Sequence, residues 1–209
     1  RREKVGKMSA ARFLGVLRHF TQQTTTIGRG HVRHTLSQQR FFSTSPMMAA
    51  SNIKFEVKGD VAIITMDQPG KVNTLGVDMI SDFREMFDKL QNDPQIKSAV
   101  LVSAKPDCFI AGADINMINE AKTPKEAEEI TVGGQKIMLE VANSPKPVVA
   151  AIMGSCLGGG LEVAMNCHYR VAVNDKKTQL GVPEVMLGVL PGGTGTQRLP
   201  QLVSLPNAL

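Results

Sequence analysis

The sequence predicts an α/β fold with a parallel sheet, on three observations. Short β-branched runs alternate with helix-spaced apolar segments along residues 53–173. A buried-type run at 148–152 leads into the glycine-rich stretch Gly154-Ser155-Cys156-Leu157-Gly158-Gly159-Gly160-Leu161-Glu162. A helix-compatible run, 161–165, leads out of it. Strand–helix–strand order of this kind implies parallel strands joined by right-handed crossovers.

Each element has a local reason. Residues 53–57 and 61–65 are short apolar or alternating runs, and Gly59-Asp60 between them suits a hairpin turn. Met79, Ile80, Phe83, Met86, Phe87 and Leu90 repeat with helical spacing, and Asn92-Asp93-Pro94 ends that helix. Residues 99–102 form a buried-type strand, 124–141 a helix weakened by Gly133-Gly134, and 169–173 a further strand. Near the end, Pro191-Gly192-Gly193-Thr194-Gly195 is a glycine-rich turn before another helix start, read as structural, shaping a pocket floor.

Composition bounds the function. The chain has 209 residues, enough for one domain with a substantial core, and 42% hydrophobic residues, ordinary for a soluble protein. Three cysteines, Cys108, Cys156 and Cys167, lack metal-ligand spacing and are too few for a disulfide framework; they read as reduced packing residues. The net charge of +5 is unevenly distributed. Residues 1–50 carry nine Lys/Arg and one acid, Glu3, whereas the remainder has a balance of −3. The body therefore gives no support to nucleic-acid binding.

Residues 1–50 read as a leader. Arg12, Arg18, Arg29, Arg33 and Arg40 stand among Ser, Thr and Gln, and no acid occurs from Met8 until Glu56. Phe13, Val16, Leu17 and Phe20 share one helical face. That pattern suits an organelle transit peptide, most often mitochondrial, with a mature start expected near Ser43 to Ser51, the alternatives being a disordered basic tail or an amphipathic membrane-surface helix. The domain proper is then 51–209.

The glycine turn is the chemical centre of the sequence. A helix opening just after it leaves its first N–H groups without intrahelical partners. Those groups favour negative charge in front of them, and glycines let a ligand approach the backbone closely. Glu162 adds a carboxylate within the first helical turn. The plain alternative is a tight turn with a first-turn carboxylate complementing the helix dipole. Two more segments bear on the choice. Phe109-Ile110-Ala111-Gly112-Ala113-Asp114 has small residues that expose its backbone, so Ala111 offers a second N–H donor; Asp114 suits a helix cap. Val182-Pro183-Glu184, 22 residues after Glu162, offers a second carboxylate, with Pro183 fixing the backbone before it.

These segments in this order, with Lys71-Val72-Asn73-Thr74-Leu75 ahead of them, resemble the crotonase (enoyl-CoA hydratase/isomerase) superfamily from about Phe55 to Leu202. Within it, they are most similar to the hydratase region of mitochondrial trifunctional-enzyme α subunits. The resemblance implies a crotonase-like (ββα) spiral core, C-terminally truncated because such domains continue beyond the equivalent of Leu209. It implies that Glu162 and Glu184 are the catalytic carboxylates and that Ala111 and Gly159 supply an oxyanion hole. Substrate would lie against Ala111, Gly112, Ala113, Asp114, Gly158 and Gly159. Basic side chains would meet its phosphates, and Lys71 is a candidate for this, the plain alternative being a solvated loop lysine.

The implied reaction is hydration of trans-2-enoyl-CoA to 3-hydroxyacyl-CoA in mitochondrial fatty acid β-oxidation. No separate cofactor is implied for that step, since coenzyme A belongs to the substrate; NAD would serve only a downstream dehydrogenase region. The implied partner is a thiolase β subunit, with the complex in the matrix or on the matrix face of the inner membrane. Two other readings stand beside it: a stand-alone hydratase or Δ3,Δ2-enoyl-CoA isomerase, and a non-catalytic module binding RNA or protein. The sequence departs from the family pattern at Gly193-Thr194-Gly195, where Ala-Gly-Gly is common.

Overall fold

In the computed structural model, residues 7–8 and 52–208 are described. The transit-peptide segment expected over 1–50 lies outside them, apart from the backbone of Lys7–Met8. The elements are β1 (Lys7–Met8), β2 (Ile53–Lys58), β3 (Val61–Met66), α1 (Val77–Asn92), β4 (Ser98–Ser103), β5 (Cys108–Ile110), α2 (Ile115–Glu120) and α3 (Pro124–Ala142). They continue with β6 (Val148–Ile152), β7 (Ser155–Leu157), α4 (Gly159–Asn166), β8 (Tyr169–Val173), β9 (Leu180–Gly181), a 3₁₀ turn (Pro183–Leu187), α5 (Gly195–Val203) and α6 (Leu205–Ala208).

Two sheets carry the fold. The larger runs β1-β8-β6-β4-β3-β2, parallel except for the antiparallel β2–β3 hairpin. The smaller runs β5-β7-β9, all parallel. Each of β4, β6 and β8 passes through a short loop into its small-sheet neighbour, β5, β7 or β9, and then into helical structure. The ββα unit implied by the family resemblance is thus laid down three times. Its consequence is direct: the segments following β5, β7 and β9 lie side by side at the carboxyl ends of three paired parallel strands. In open parallel sheets that edge is where ligands bind.

The core explains the element order. Along β3 the residues alternate, with Ala62, Ile64 and Met66 buried. This is the period-2 pattern of a strand with one covered face. α1 buries Met79, Phe83, Met86, Phe87 and Leu90, the stripe read from the sequence, and the rings of Phe83 and Phe87 stack with centroids 6.1 Å apart. α3 runs unbroken through Gly133-Gly134. Its start is fixed by Pro124 and by Thr123, whose Oγ1 accepts the N–H of Glu126 at 3.2 Å. All eight residues of α4 are buried, and it packs against α3, α5, β5 and β7.

The three cysteines are buried and free. Burial pushes the Cys167 thiol up to about 12 and raises those of Cys108 and Cys156 as well, which suits packing rather than reactivity. No helix among the described residues is long and apolar enough to cross a membrane.

One expectation needs correction. The strand at 148–152 does not feed the glycine turn directly. Gly154 bends the chain, and β7 intervenes, pairing with both β5 and β9. A Cβ at Gly154 would run into the main chain of Asp107 and Cys108, so only glycine fits that bend. At three residues or fewer, β5, β7 and β9 are too short for a period to show in sequence.

Candidate active site

The site forms where the three small-sheet strands end. After β7, Gly158 takes φ +51° and ψ −127°, backbone that side chains rarely adopt. Its N–H donates to Gly181 O of β9 at 2.8 Å, and its carbonyl accepts from Glu162 N at 3.0 Å, closing the first turn of α4. After β5, Gly112 takes φ +122°, and its Cα lies 3.8 Å from where a Cβ of Gly158 would stand. Two glycine backbones therefore approach each other closely at the end of the small sheet.

Main-chain donors gather beside that contact. Gly159 opens α4, so its N–H has no intrahelical partner. The Ala113 nitrogen lies 3.6 Å from the Cβ position of Gly159. Ala113 bridges Leu75 through its neighbours: Leu75 N donates to Gly112 O and Asp114 N donates to Leu75 O. No hydrogen bond takes up the Ala113 N–H among the described residues.

The amide expected as second donor, that of Ala111, is already committed. It donates to Asn73 O at 2.8 Å, because the loop leaving β5 is laced to the Asn73 loop. The donor facing Gly159 is two residues further on. Asn73 stood in the motif string of the sequence reading without a role assigned to it. It is fully buried, its Nδ2 donates to Ser103 Oγ at 2.9 Å and Phe109 O at 3.1 Å, and its Oδ1 accepts Gln68 N at 3.1 Å.

The two carboxylates flank the same turn. Glu162 is buried, and its Oε2 lies 3.9 Å from the Cβ position of Gly159. Its Oε1 accepts two main-chain N–H groups, from Thr194 at 2.9 Å and Gly195 at 2.7 Å. The Pro191–Gly195 turn is therefore more than a pocket floor: its amides hold one oxygen of Glu162. Gln135 of α3 steadies the turn by donating to Gly192 O at 2.7 Å. Glu184, in the first turn of the 3₁₀ segment, puts Oε1 2.7 Å from the Cβ position of Gly158. Its Oε2 is buried with no hydrogen-bond partner among the described residues. Burial pushes the Glu184 carboxyl up, and the Glu162 charge adds to this; its own main-chain N–H opposes both.

Other candidate residues fall elsewhere. Asp114 caps α2, accepting Asn116 N at 2.8 Å, and its Oδ2 lies 3.3 Å from the Cβ position of Gly76. It acts as the cap read from the sequence, not as a group facing the glycine turn. Lys71 is exposed on the loop before Asn73. Beside the turn opens an apolar cavity of about 50 Å³ whose lining includes Leu75, Met79, Phe83, Ile110, Met138 and Val163. Leu75 Cδ1, 3.1 Å from the Cβ position of Gly159, joins cavity to turn. Among the described residues no cluster of His, Cys, Asp and Glu is arranged to hold a metal ion.

Comparison with known proteins decides the family. Residues 56–208 match the family model described as enoyl-CoA hydratase/isomerase. The chain belongs to the enoyl-CoA hydratase/isomerase family. Solved relatives agree. An enoyl-CoA hydratase from Geobacillus kaustophilus is 32% identical with a TM-score of 0.71, over 77% of this chain and 60% of that one. An enoyl-CoA hydratase from Thermoplasma volcanium is 31% identical with a TM-score of 0.70, over 76% of this chain and 62% of that one. Pseudomonas aeruginosa DspI is 31% identical with a TM-score of 0.70, over 79% and 66%. The chain thus spans about 60% of the length of the two hydratase structures. The α/β core with a parallel sheet and flanking helices is the fold of these relatives.

Proposed function

We propose that this member of the family hydrates trans-2-enoyl-CoA thioesters to 3-hydroxyacyl-CoA. The observation that carries the reading is the convergence of two carboxylates and two uncommitted main-chain N–H groups on Gly158-Gly159. The thioester oxygen would sit between the N–H groups of Ala113 and Gly159, with the acyl tail directed past Leu75 into the apolar cavity. Attack by water at C3 pushes charge through the conjugated system onto that oxygen. Each donor aimed at the developing charge is worth about 3 kcal/mol in sites of this kind.

The water would lie between Glu162 Oε2 and Glu184. Its hydroxyl bonds to C3, one of its protons passes to a carboxylate, and a proton from the pair goes to C2. Water is consumed and the two carboxyls regain their starting protonation as a unit. Burial and the neighbouring charge both favour a Glu184 that keeps a proton to give. Coenzyme A enters as part of the substrate, and the step uses only the chain's own carboxyls and amides. Lys71 is exposed on its loop, and in this reading it would meet a phosphate of the substrate.

The wider setting is also a proposal. The Arg-rich, acid-poor leader supports import into mitochondria, and the motif strings support the α subunit of a trifunctional β-oxidation enzyme. In that setting an NAD-dependent dehydrogenase region would follow in the chain, and a thiolase β subunit would bind at the matrix face of the inner membrane.

Glu162→Gln and Glu184→Gln test the reading. With crotonyl-CoA as substrate, each is expected to lower kcat by on the order of a thousandfold, followed by loss of the enone absorbance. Turnover within a few-fold of wild type in either variant overturns it. So does a wild-type protein that shifts the double bond of a 3-enoyl-CoA but hydrates no 2-enoyl-CoA.

A further inference from the structure

Thr194 stands at the N-cap of α5, yet its hydroxyl makes no capping bond there. A threonine in that position ordinarily accepts an N–H from the helix's first turn. Here the helix start is capped from outside, by Glu162 Oε1, which accepts the N–H groups of Thr194 and Gly195. The Thr194 hydroxyl is turned to Asn166 instead, accepting Nδ2 at 2.6 Å. The same Nδ2 donates its other hydrogen to the main-chain carbonyl of Glu162 at 2.8 Å. That carbonyl requires a donor, which fixes the way round the Asn166 amide sits.

Asn166 is 2% exposed, and its Oδ1 has no hydrogen-bond partner among the described residues. A buried carbonyl left without a donor costs stability, so the residue is held in place by its two donated bonds at some expense. Those two bonds span the backbone of Glu162 on one side and the residue that grips the Glu162 side chain on the other.

We infer that Asn166 is a positioning residue for Glu162: through the Thr194 hydroxyl it sets the Thr194 and Gly195 amides against Oε1, so that Oε2 is the oxygen presented to the reacting water. The assignment rests on the hydratase reading for its catalytic consequence, but the alignment of the two amides is measurable without any reaction.

The experiment compares Asn166→Ala, Thr194→Val, their double variant and Thr194→Ser with wild type, by amide hydrogen exchange and by crotonyl-CoA kinetics. Thr194→Val exchanges only a hydroxyl for a methyl, so it reads the link even where Asn166→Ala unfolds. The Thr194 and Gly195 amides are expected to exchange faster in both single variants. kcat should fall on the order of tenfold to a hundredfold, with KM within roughly twofold of wild type. The double variant should be no worse than either single one, because both cut the same link, and Thr194→Ser should restore wild-type exchange and kcat. Unchanged exchange at those two amides in both single variants overturns the inference, and so do losses that multiply in the double variant. If wild type hydrates no enoyl thioester while the amides still loosen in both variants, the hydratase reading fails and the positioning role stands.

Discussion

Glu162 and Glu184 face one glycine turn from unlike surroundings. Glu162 projects from a helix with every residue buried, and two main-chain amides hold one of its oxygens. Glu184 projects from a short 3₁₀ turn whose neighbours Val185 and Met186 are 77% and 83% exposed, and one of its oxygens has no partner among the described residues. One carboxylate is therefore fixed in direction, and the other is governed by desolvation. The contrast shows how two identical side chains come to differ: the first is held in one direction, and the second is pushed by burial to keep its proton to higher pH than an ordinary glutamate.

The sharpest way to break this contrast is at Gly158. Gly158→Ala places a methyl carbon 2.7 Å from Glu184 Oε1, too close for both to stay, and forces alanine into a conformation natural to glycine. Strain of about 1–3 kcal/mol is expected in thermal or denaturant unfolding. Hydratase kcat should fall about a hundredfold, because the donor at Gly159 and the carboxyl of Glu184 move together. Wild-type kcat in this variant would show that Glu184 need not lie over the turn.

Gly193→Ala probes the fixed carboxylate with a smaller effect. Its Cβ would stand 2.6 Å from both Glu162 Oε2 and Met138 Sδ. Both are ends of side chains that can swing aside, so the melting temperature should change little. kcat should drop about tenfold as Oε2 is displaced. An unchanged kcat would show that the direction of Oε2 does not matter to the reaction.

The smallest effect is read as stability against pH. The Glu184 carboxyl is raised in the folded protein by burial and by the Glu162 charge. Below the ordinary carboxylate range the group is neutral folded and unfolded, and Glu184→Gln should melt with wild type. As pH rises through that range the unfolded chain releases its proton first, so wild type loses stability relative to the Gln variant. The gap should grow until the folded-state carboxyl ionises and then stay level. A Gln variant less stable than wild type at neutral pH would contradict the burial argument.

The longer elements were legible in the sequence. The stripe of α1, the strands at 148–152 and 169–173 and the hairpin of β2 and β3 each occupy enough residues for a period or a turn signal to show. The glycine turn and the helix it opens were legible too, because glycines and helix follow one another along the chain, although the strand β7 between 152 and the turn was not. The uncommitted main-chain donor near Gly159 was not. Ala111 and Ala113 are both small residues in one loop, and nothing local tells which amide is spent. The answer lies in Asn73, 38 residues before Ala111, whose carbonyl takes one of them. The service of Thr194 and Gly195 to Glu162 was hidden for the same reason, being a contact across more than thirty residues between a turn and a buried side chain.

By itself the sequence determined the local shapes: which runs become strand or helix, where only glycine can turn, and which acids stand close to those turns. Tertiary structure alone decided which main-chain groups remain free and which carboxyl oxygen is held. Propensity and periodicity act between neighbours along the chain. A hydrogen bond is assigned by whichever partner the folded sheet brings within 3 Å, and that choice is made only when β5, β7 and β9 are side by side.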